Sequence, residues 1–309
     1  TATAANVFDF PKWVITSAVA LVLLLITAIV MILEKKIIYP PKQAAIPLGL
    51  FVATIIISIL INQPPIKVTP LYGRSGILLG MILILTTSSI LVQDKIKTIL
   101  YALFSSSLII SILQILAFFE VLGKIIKAPV FAQKTFTPLG SQLALATFLI
   151  VSLAVMIVYG LKTKAAGLKI ALFVLAGLQT IALVFAIAQI LPGQPANPKF
   201  LPYASGWSVA VDQLKSGKTA FFGVGPENFA IAFSKFRPVS LNTGDSWFIR
   251  YGASSNELLT IFTTLGLAGI VTFILFVLVL IKEALHALKA SDEAAAVVAG
   301  FAVSLILML

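Results

Sequence analysis

Apolar residues run along this chain in long blocks, parted by short polar stretches. The blocks cover Trp13–Leu33, Ile46–Ile61, Gly76–Val92, Thr98–Phe119, Leu139–Gly160, Ile170–Leu191, Leu258–Ile281 and Ala294–Leu309. Most approach the roughly 20 residues an α-helix needs to cross a bilayer core. Water cannot satisfy backbone N–H and C=O groups there, so each block is predicted to be helical. The expected fold class is all-α: a polytopic transmembrane helical bundle of about eight spans, with one long external loop containing short helices. Membrane helices one to six fall in residues 1-191, the loop in 192-255, and helices seven and eight in 256-309. The chain opens at Thr1 and closes at Leu309 inside an apolar run. That predicts a truncated C-terminus.

Composition excludes a soluble enzyme. Hydrophobic residues make up 60% and charged residues 11% of the 309 positions, and mean hydropathy is +1.09. A soluble domain carries about 25% charged residues. Cysteine is absent and His286 is the single histidine. Thiolate and multi-histidine metal sites are therefore excluded, as is a cysteine nucleophile. The net charge of +11 comes mostly from lysines flanking the apolar blocks. It is read as membrane anchoring, with the lipid bilayer and not nucleic acid as the partner.

Lysine placement predicts orientation. One set of loops holds ten basic residues: Lys35, Lys36, Lys42, Lys95, Lys97, Lys162, Lys164, Lys169, Lys282 and Lys289. The other holds six: Lys12, Lys67, Arg74, Lys124, Lys127 and Lys134. The richer set is placed in the cytoplasm, so Thr1 and residues 192–255 fall outside. Val14–Leu33 is too long for the apolar region of a signal peptide, and no small-residue cleavage site follows it. An earlier helix is therefore expected.

Residues 192–255 are too aromatic for a plain linker, holding Tyr203, Trp207, Trp247, Tyr251 and several phenylalanines. Long loops of this kind are usually functional. A first short helix is predicted over Gly206–Lys215, with Val209, Val211 and Leu214 apolar and a stop at Ser216-Gly217. A second is predicted after Gly223-Val224-Gly225. Pro226 suits its first position and Glu227 its positive end. Phe229, Phe233 and Phe236 would then share one face, packed on the membrane helices and roofing a cavity.

Arginine occurs three times, at Arg74, Arg237 and Arg250, against 22 basic residues in all. Its planar fork grips carboxylate or phosphate by paired hydrogen bonds. Interfacial anchoring, or a salt bridge to Asp212, Glu227 or Asp245, would explain each one equally well. Gly223-Val224-Gly225-Pro226 could cradle phosphate at a helix start or simply be a tight turn. Within the spans the polar residues are Gln114, Glu120, Gln142, Gln179 and Gln189. Glu120 sits at a span end and Asp94 at a loop edge, an arrangement that disfavours an ion-driven carrier. His286 lies beside Lys282 and Glu283 and reads as a solvated helix-end residue.

Several segments together resemble the O-antigen ligase and polymerase superfamily. They are Trp207…Leu214, the run Phe222-Gly223-Val224-Gly225-Pro226-Glu227-Asn228-Phe229, then Ser255-Asn256-Glu257-Leu258-Leu259, and Leu265-Gly266-Leu267-Ala268-Gly269. They follow the family pattern of "GxGPxNF" in a large external loop, then "HNxxL…xxGxxG" opening the next membrane helix. Phe8-Asp9-Phe10-Pro11-Lys12 and Tyr72-Gly73-Arg74-Ser75-Gly76 are similar to its earlier segments. The resemblance implies a metal-independent glycosyltransferase of the GT-C type, without cofactor, in the cytoplasmic (inner) membrane. Such an enzyme moves a glycan from undecaprenyl diphosphate to a glycan, lipid or protein acceptor during cell-surface polysaccharide or glycoprotein assembly. It implies a catalytic set of Arg237, Arg250, Ser255 and Asn256. It also implies substrate-binding positions at Arg74, Lys218, Gly223, Gly225, Glu227 and Asn228, with the arginines on the diphosphate. Ser255 stands where the family has histidine, and a serine hydroxyl cannot take a proton near neutral pH as imidazole can. The alternative is a non-catalytic membrane protein that binds lipid-linked glycans or scaffolds an envelope complex. A transporter would call for paired charges in the spans or inverted repeats.

Topology gives the first testable expectation. With no cysteine in the background, Lys199→Cys and Lys164→Cys are treated singly with an impermeant thiol reagent in intact cells. Labelling is expected at 199 and not at 164; the reverse pattern inverts the orientation.

Overall fold

A computed structural model describes residues 3–36, 42–62, 73–91, 96–127, 129–242, 247–288 and 291–308. Within them the chain forms α1 (Thr3–Leu33), α2 (Lys42–Ile61), α3 (Arg74–Leu91), α4 (Ile96–Phe118), α5 (Val121–Ile125), α6 (Gln142–Lys162), α7 (Ala166–Ile190), α8 (Tyr203–Asp212), α9 (Gly217–Phe222), α10 (Phe229–Lys235), α11 (Glu257–Ala287) and α12 (Asp292–Met308). Short 3-10 turns cover Pro129–Ala132, Gln213–Lys215 and Val239–Asn242. No strand occurs among the described residues. Among the described residues seven helices are long and apolar enough to cross a membrane: α1 to α4, α6, α7 and α11. The chain is thus an all-helical multi-pass membrane protein. The eighth predicted block forms α12, which has 17 residues.

Two compact units divide the chain. One comprises Thr1–Gln93, Phe200–Ile281 and Leu309; the other comprises Asp94–Lys199 and Lys282–Met308. The division cuts across the linear order of spans and loop. The loop from Phe200 onward belongs with the first three spans and most of α11.

The second unit is built on α4, α6, α7 and α12. Leu100 and Phe104 of α4 meet Leu153, Met156 and Tyr159 of α6, Leu172 and Ala176 of α7, and Ala296 of α12. Ala182 and Ala186 of α7 pack on Leu145, Ala146 and Leu149 of α6. Small side chains let helix backbones approach where lipid supplies no hydrophobic drive. Gln114, Gln142 and Gln179 inside these spans join helices, while the buried Gln189 has no hydrogen-bond partner among the described residues. Gln142 Nε2 donates to Gln114 Oε1 at 3.2 Å and to Thr135 O at 3.1 Å. Gln179 Nε2 donates to Leu149 O at 3.0 Å and to the Ser152 hydroxyl. At the start of α12, Ser291 Oγ accepts from Ala294 N at 3.1 Å. Glu293 lies 3.4 Å from Lys97 and Asp292 3.7 Å from Lys162.

In the first unit α1 packs on α3. Phe51 and Ile55 of α2 pack on Ile261 and Leu265 of α11. The loop has a core of its own. Leu201, Val209, Phe229, Ala232, Phe233, Leu241 and Tyr251 are buried together, with Val224, Phe236 and Ile249 at the margin. Phe229 and Phe233 are therefore interior to the loop, not a roof resting on the membrane helices. The first loop helix begins earlier than expected, at Tyr203, and gives way to the 3-10 turn at Gln213. Of its apolar positions Val209 is buried, while Val211 and Leu214 are exposed. As expected, the run stops at Ser216, which is extended (φ −120°, ψ 129°), and a further helix not foreseen from the sequence, α9, begins at Gly217. The next helix starts at Phe229 and not at Pro226. Pro226 and Glu227 form a turn, and Asn228 N donates to Gly225 O at 3.0 Å.

Glu293 gives a pH expectation. Its carboxyl is held below the ordinary value, chiefly by a backbone hydrogen bond and further by Ser291 and Lys97. A carboxylate whose folded pKa is depressed adds stability above its unfolded value, and that stability is lost as pH falls through the folded one. Glu293→Gln should lower the thermal unfolding temperature in detergent at neutral pH. The difference from the unmodified protein should vanish in acid. A difference that persists unchanged in acid would show that the charge contributes nothing.

Candidate functional site

The loop run Phe222–Phe229 is fastened to a kink in α11. Gly266 interrupts that helix with φ 68° and ψ −161°. Gly223 has nearly the same conformation, φ 64° and ψ −164°. This region of backbone space is essentially glycine-only. A kink strips carbonyls one turn earlier of their intrahelical donors, and here the loop supplies replacements. Val224 N donates to Thr263 O at 3.1 Å and Gly225 N to Thr264 O at 2.9 Å. A Cβ on Gly266 would stand 2.5 Å from Gly223 N, and one on Gly223 would enter the backbone of Thr264.

Two residues of α2 and its end complete the joint. Ser58 Oγ bonds Phe222 O at 2.7 Å and Thr264 O at 3.2 Å. Asn62 Nδ2 donates to Gly223 O at 3.0 Å. Asn228 Nδ2 donates to Val224 O at 2.8 Å and to Asn62 O at 3.1 Å. Gly223 N is also engaged, by Thr219 O at 2.9 Å. Gly223, Gly225 and Asn228 thus build the scaffold. The amides of the glycine turn serve α9 and α11 and offer no phosphate cradle.

Beside this joint the starts of α3 and α11 are tied together. Glu227 Oε1 accepts from Ser75 N at 2.8 Å and from Ser75 Oγ at 2.7 Å. A carboxylate suits a helix N-terminus, where unpaired N–H groups and the macrodipole are positive. The predicted role of Glu227 at the start of its own helix is thereby replaced by capping of α3. Arg74 Nη2 lies 2.7 Å from Glu257 Oε2, with the two side chains 46% and 38% exposed. Asn256 Oδ1 accepts from Leu259 N at 2.8 Å and caps α11. Ser255 Oγ donates to Pro202 O at 3.1 Å, packed against Gly206.

Arg237 and Arg250 line one open cavity of about 480 Å³ with Ser234, Trp247 and Phe248. Arg237 is held by the loop's own backbone. Its Nη1 donates to Ile249 O at 3.2 Å and its Nη2 to Leu241 O at 2.9 Å, and the guanidinium lies over the Phe233 ring. Arg250 is exposed and makes no hydrogen bond or ion pair to a described residue. Arg74 is not among the lining residues. Lys218 is exposed on α9, and Asp245 lies outside the described residues. The residues that sequence reasoning missed are Ser58, Asn62 and Glu257. Asn62, a polar side chain at the end of an apolar span, was the available signal, and Glu257 was hidden among the helix-opening residues.

Gly266→Ala and Gly223→Ala should each cost at least about 1–3 kcal/mol, from backbone strain alone. Gly252→Ala is the control, since a Cβ there meets nothing within 4 Å. Thermal unfolding in detergent should show losses for the first two and none for the third.

No family model matches the chain, no curated protein matches it, and no solved structure matches it.

Proposed function

We propose that this protein is an O-antigen ligase/polymerase-like glycosyltransferase of the bacterial cytoplasmic membrane, acting on an undecaprenyl-diphosphate-linked glycan at the extracytoplasmic face. The observation that carries the reading is the cavity of Arg237 and Arg250 beside Trp247 and Phe248. Guanidinium groups suit a diphosphate and aromatic faces suit sugar rings, so the lining matches both halves of such a donor. The docking of the two loop and helix segments that carry the family resemblance supports it further. In the transfer, diphosphate is the leaving group, and fixed cations stabilise the charge developing on it. Arg250 is the exposed cation for that task. Arg237 orders the cavity wall through its two carbonyl bonds.

One observation favours the non-catalytic alternative. Ser255, at the family's histidine position, spends its hydroxyl on Pro202 O. A lipid-linked glycan would then be bound and not transferred.

Arg250→Lys keeps the charge and loses the fork. It should lower transfer from an undecaprenyl-diphosphate glycan about ten- to hundredfold, the value of a charged hydrogen bond or two. The assay uses proteoliposomes with lipid A-core, glycan and protein acceptors. Undiminished transfer by Arg250→Lys would remove the cavity from the reaction. Donor binding without transfer to any acceptor would select the non-catalytic reading.

A further inference from the structure

Arg74 holds a carboxylate that the transfer mechanism above leaves unused. We infer that Glu257 is the proton acceptor of the transfer step, kept on Arg74 until the donor diphosphate draws that guanidinium away. This rests on the proposed function and adds the base that it lacks.

The assignment follows from what each neighbouring group is already doing. Ser255 Oγ is committed to Pro202 O, and Asn256 Oδ1 to the α11 cap. Among the described carboxylates of the loop and adjoining helix starts, Asp212 lies 2.6 Å from Lys215. Glu227 accepts two hydrogen bonds from Ser75. Glu257 differs from both. It stands two residues beyond Ser255, in the first turn of α11. It remains 38% exposed, and its one partner among the described residues, Arg74, is 46% exposed. Among the described residues only Oε2 is engaged, which leaves Oε1 for an acceptor hydroxyl.

The ion pair makes base and donor interdependent. While the pair is closed, the guanidinium engages Oε2 of the carboxylate. An exposed pair of this kind is worth little, so exchanging one anion for another at Arg74 costs little. Arg74 lies outside the lining of the Arg250 cavity, so the donor diphosphate is inferred to extend from Arg250 to Arg74, where its greater charge lets it replace the carboxylate. The acceptor hydroxyl oxygen then bonds the anomeric carbon, and the carbon–oxygen bond to diphosphate breaks with its electron pair. Undecaprenyl diphosphate leaves, and the hydroxyl proton passes to Glu257 and afterwards to water.

The test measures transfer against pH in proteoliposomes, with the same donor and the three acceptor types. Glu257→Gln should lower kcat about 10²- to 10⁴-fold, as for loss of a general base. The KM for donor should be unchanged or lower, because Arg74 is no longer shared. Glu257→Asp should regain part of the rate and keep its fall in acid, which the glutamine variant should lack. The double variant Arg74→Glu with Glu257→Arg rebuilds the pair in reverse and should stay inactive. If the unmodified protein transfers and folded Glu257→Gln transfers within about threefold of it, the base assignment is overturned while the proposed function stands. Activity in the reversed pair overturns it too, because the pair would then be structural. Absence of transfer by the unmodified protein overturns both readings together.

Discussion

Two glycine backbones in contact set the arrangement of the first unit. Gly223 and Gly266 share a conformation that other residues scarcely adopt, and neither leaves room for a Cβ on the other side. The kink this allows in α11 would expose bare carbonyls in an apolar setting, where an unpaired polar group is costly. Amides from the loop cover them. The loop is therefore anchored to a membrane helix through main chain, which is insensitive to the choice of surface side chains. From that anchor, Asn62 and Asn228 tie in the end of α2, and Glu227 reaches α3.

The three arginines divide the remaining work. Arg74 bridges two helix starts through Glu257, Arg237 fixes the backbone around a cavity, and Arg250 faces that cavity. Arginine suits all three tasks for the same reason, since its fork donates in several fixed directions. The rarity of the residue in this chain therefore marks geometry, and Arg250 alone of the three has no hydrogen-bond or ion-pair partner among the described residues.

The long spans were legible because bilayer thickness imposes a length that composition alone reveals. The loop was legible in part. Its aromatic content foretold a packed element, and Phe229 and Phe233 are indeed buried. Their neighbours, however, are Leu201, Leu241 and Tyr251 of the same loop, a choice that helical periodicity cannot express. Pro226-Glu227 carries a standard helix-start signal, yet the carboxylate goes to Ser75, 152 positions away. Gly266 sits inside the apolar run Leu258–Ile281, which reads as one uninterrupted span. Its kink depends on a partner at position 223. Long-range hydrogen bonds of this kind leave no periodic trace. The same holds for the candidate site, where the residue types were visible and their partners were not.

The second unit joins its helices with amides and a hydroxyl: Gln114 with Gln142, and Gln179 with Ser152. These groups are dipoles without net charge at any physiological pH. A transmembrane voltage does work on net charge carried through it, and here there is none to carry. This seam should therefore hold equally well in an energised and a de-energised membrane. Any response of the protein to the state of the membrane would have to originate elsewhere, in the ionised residues at the helix ends.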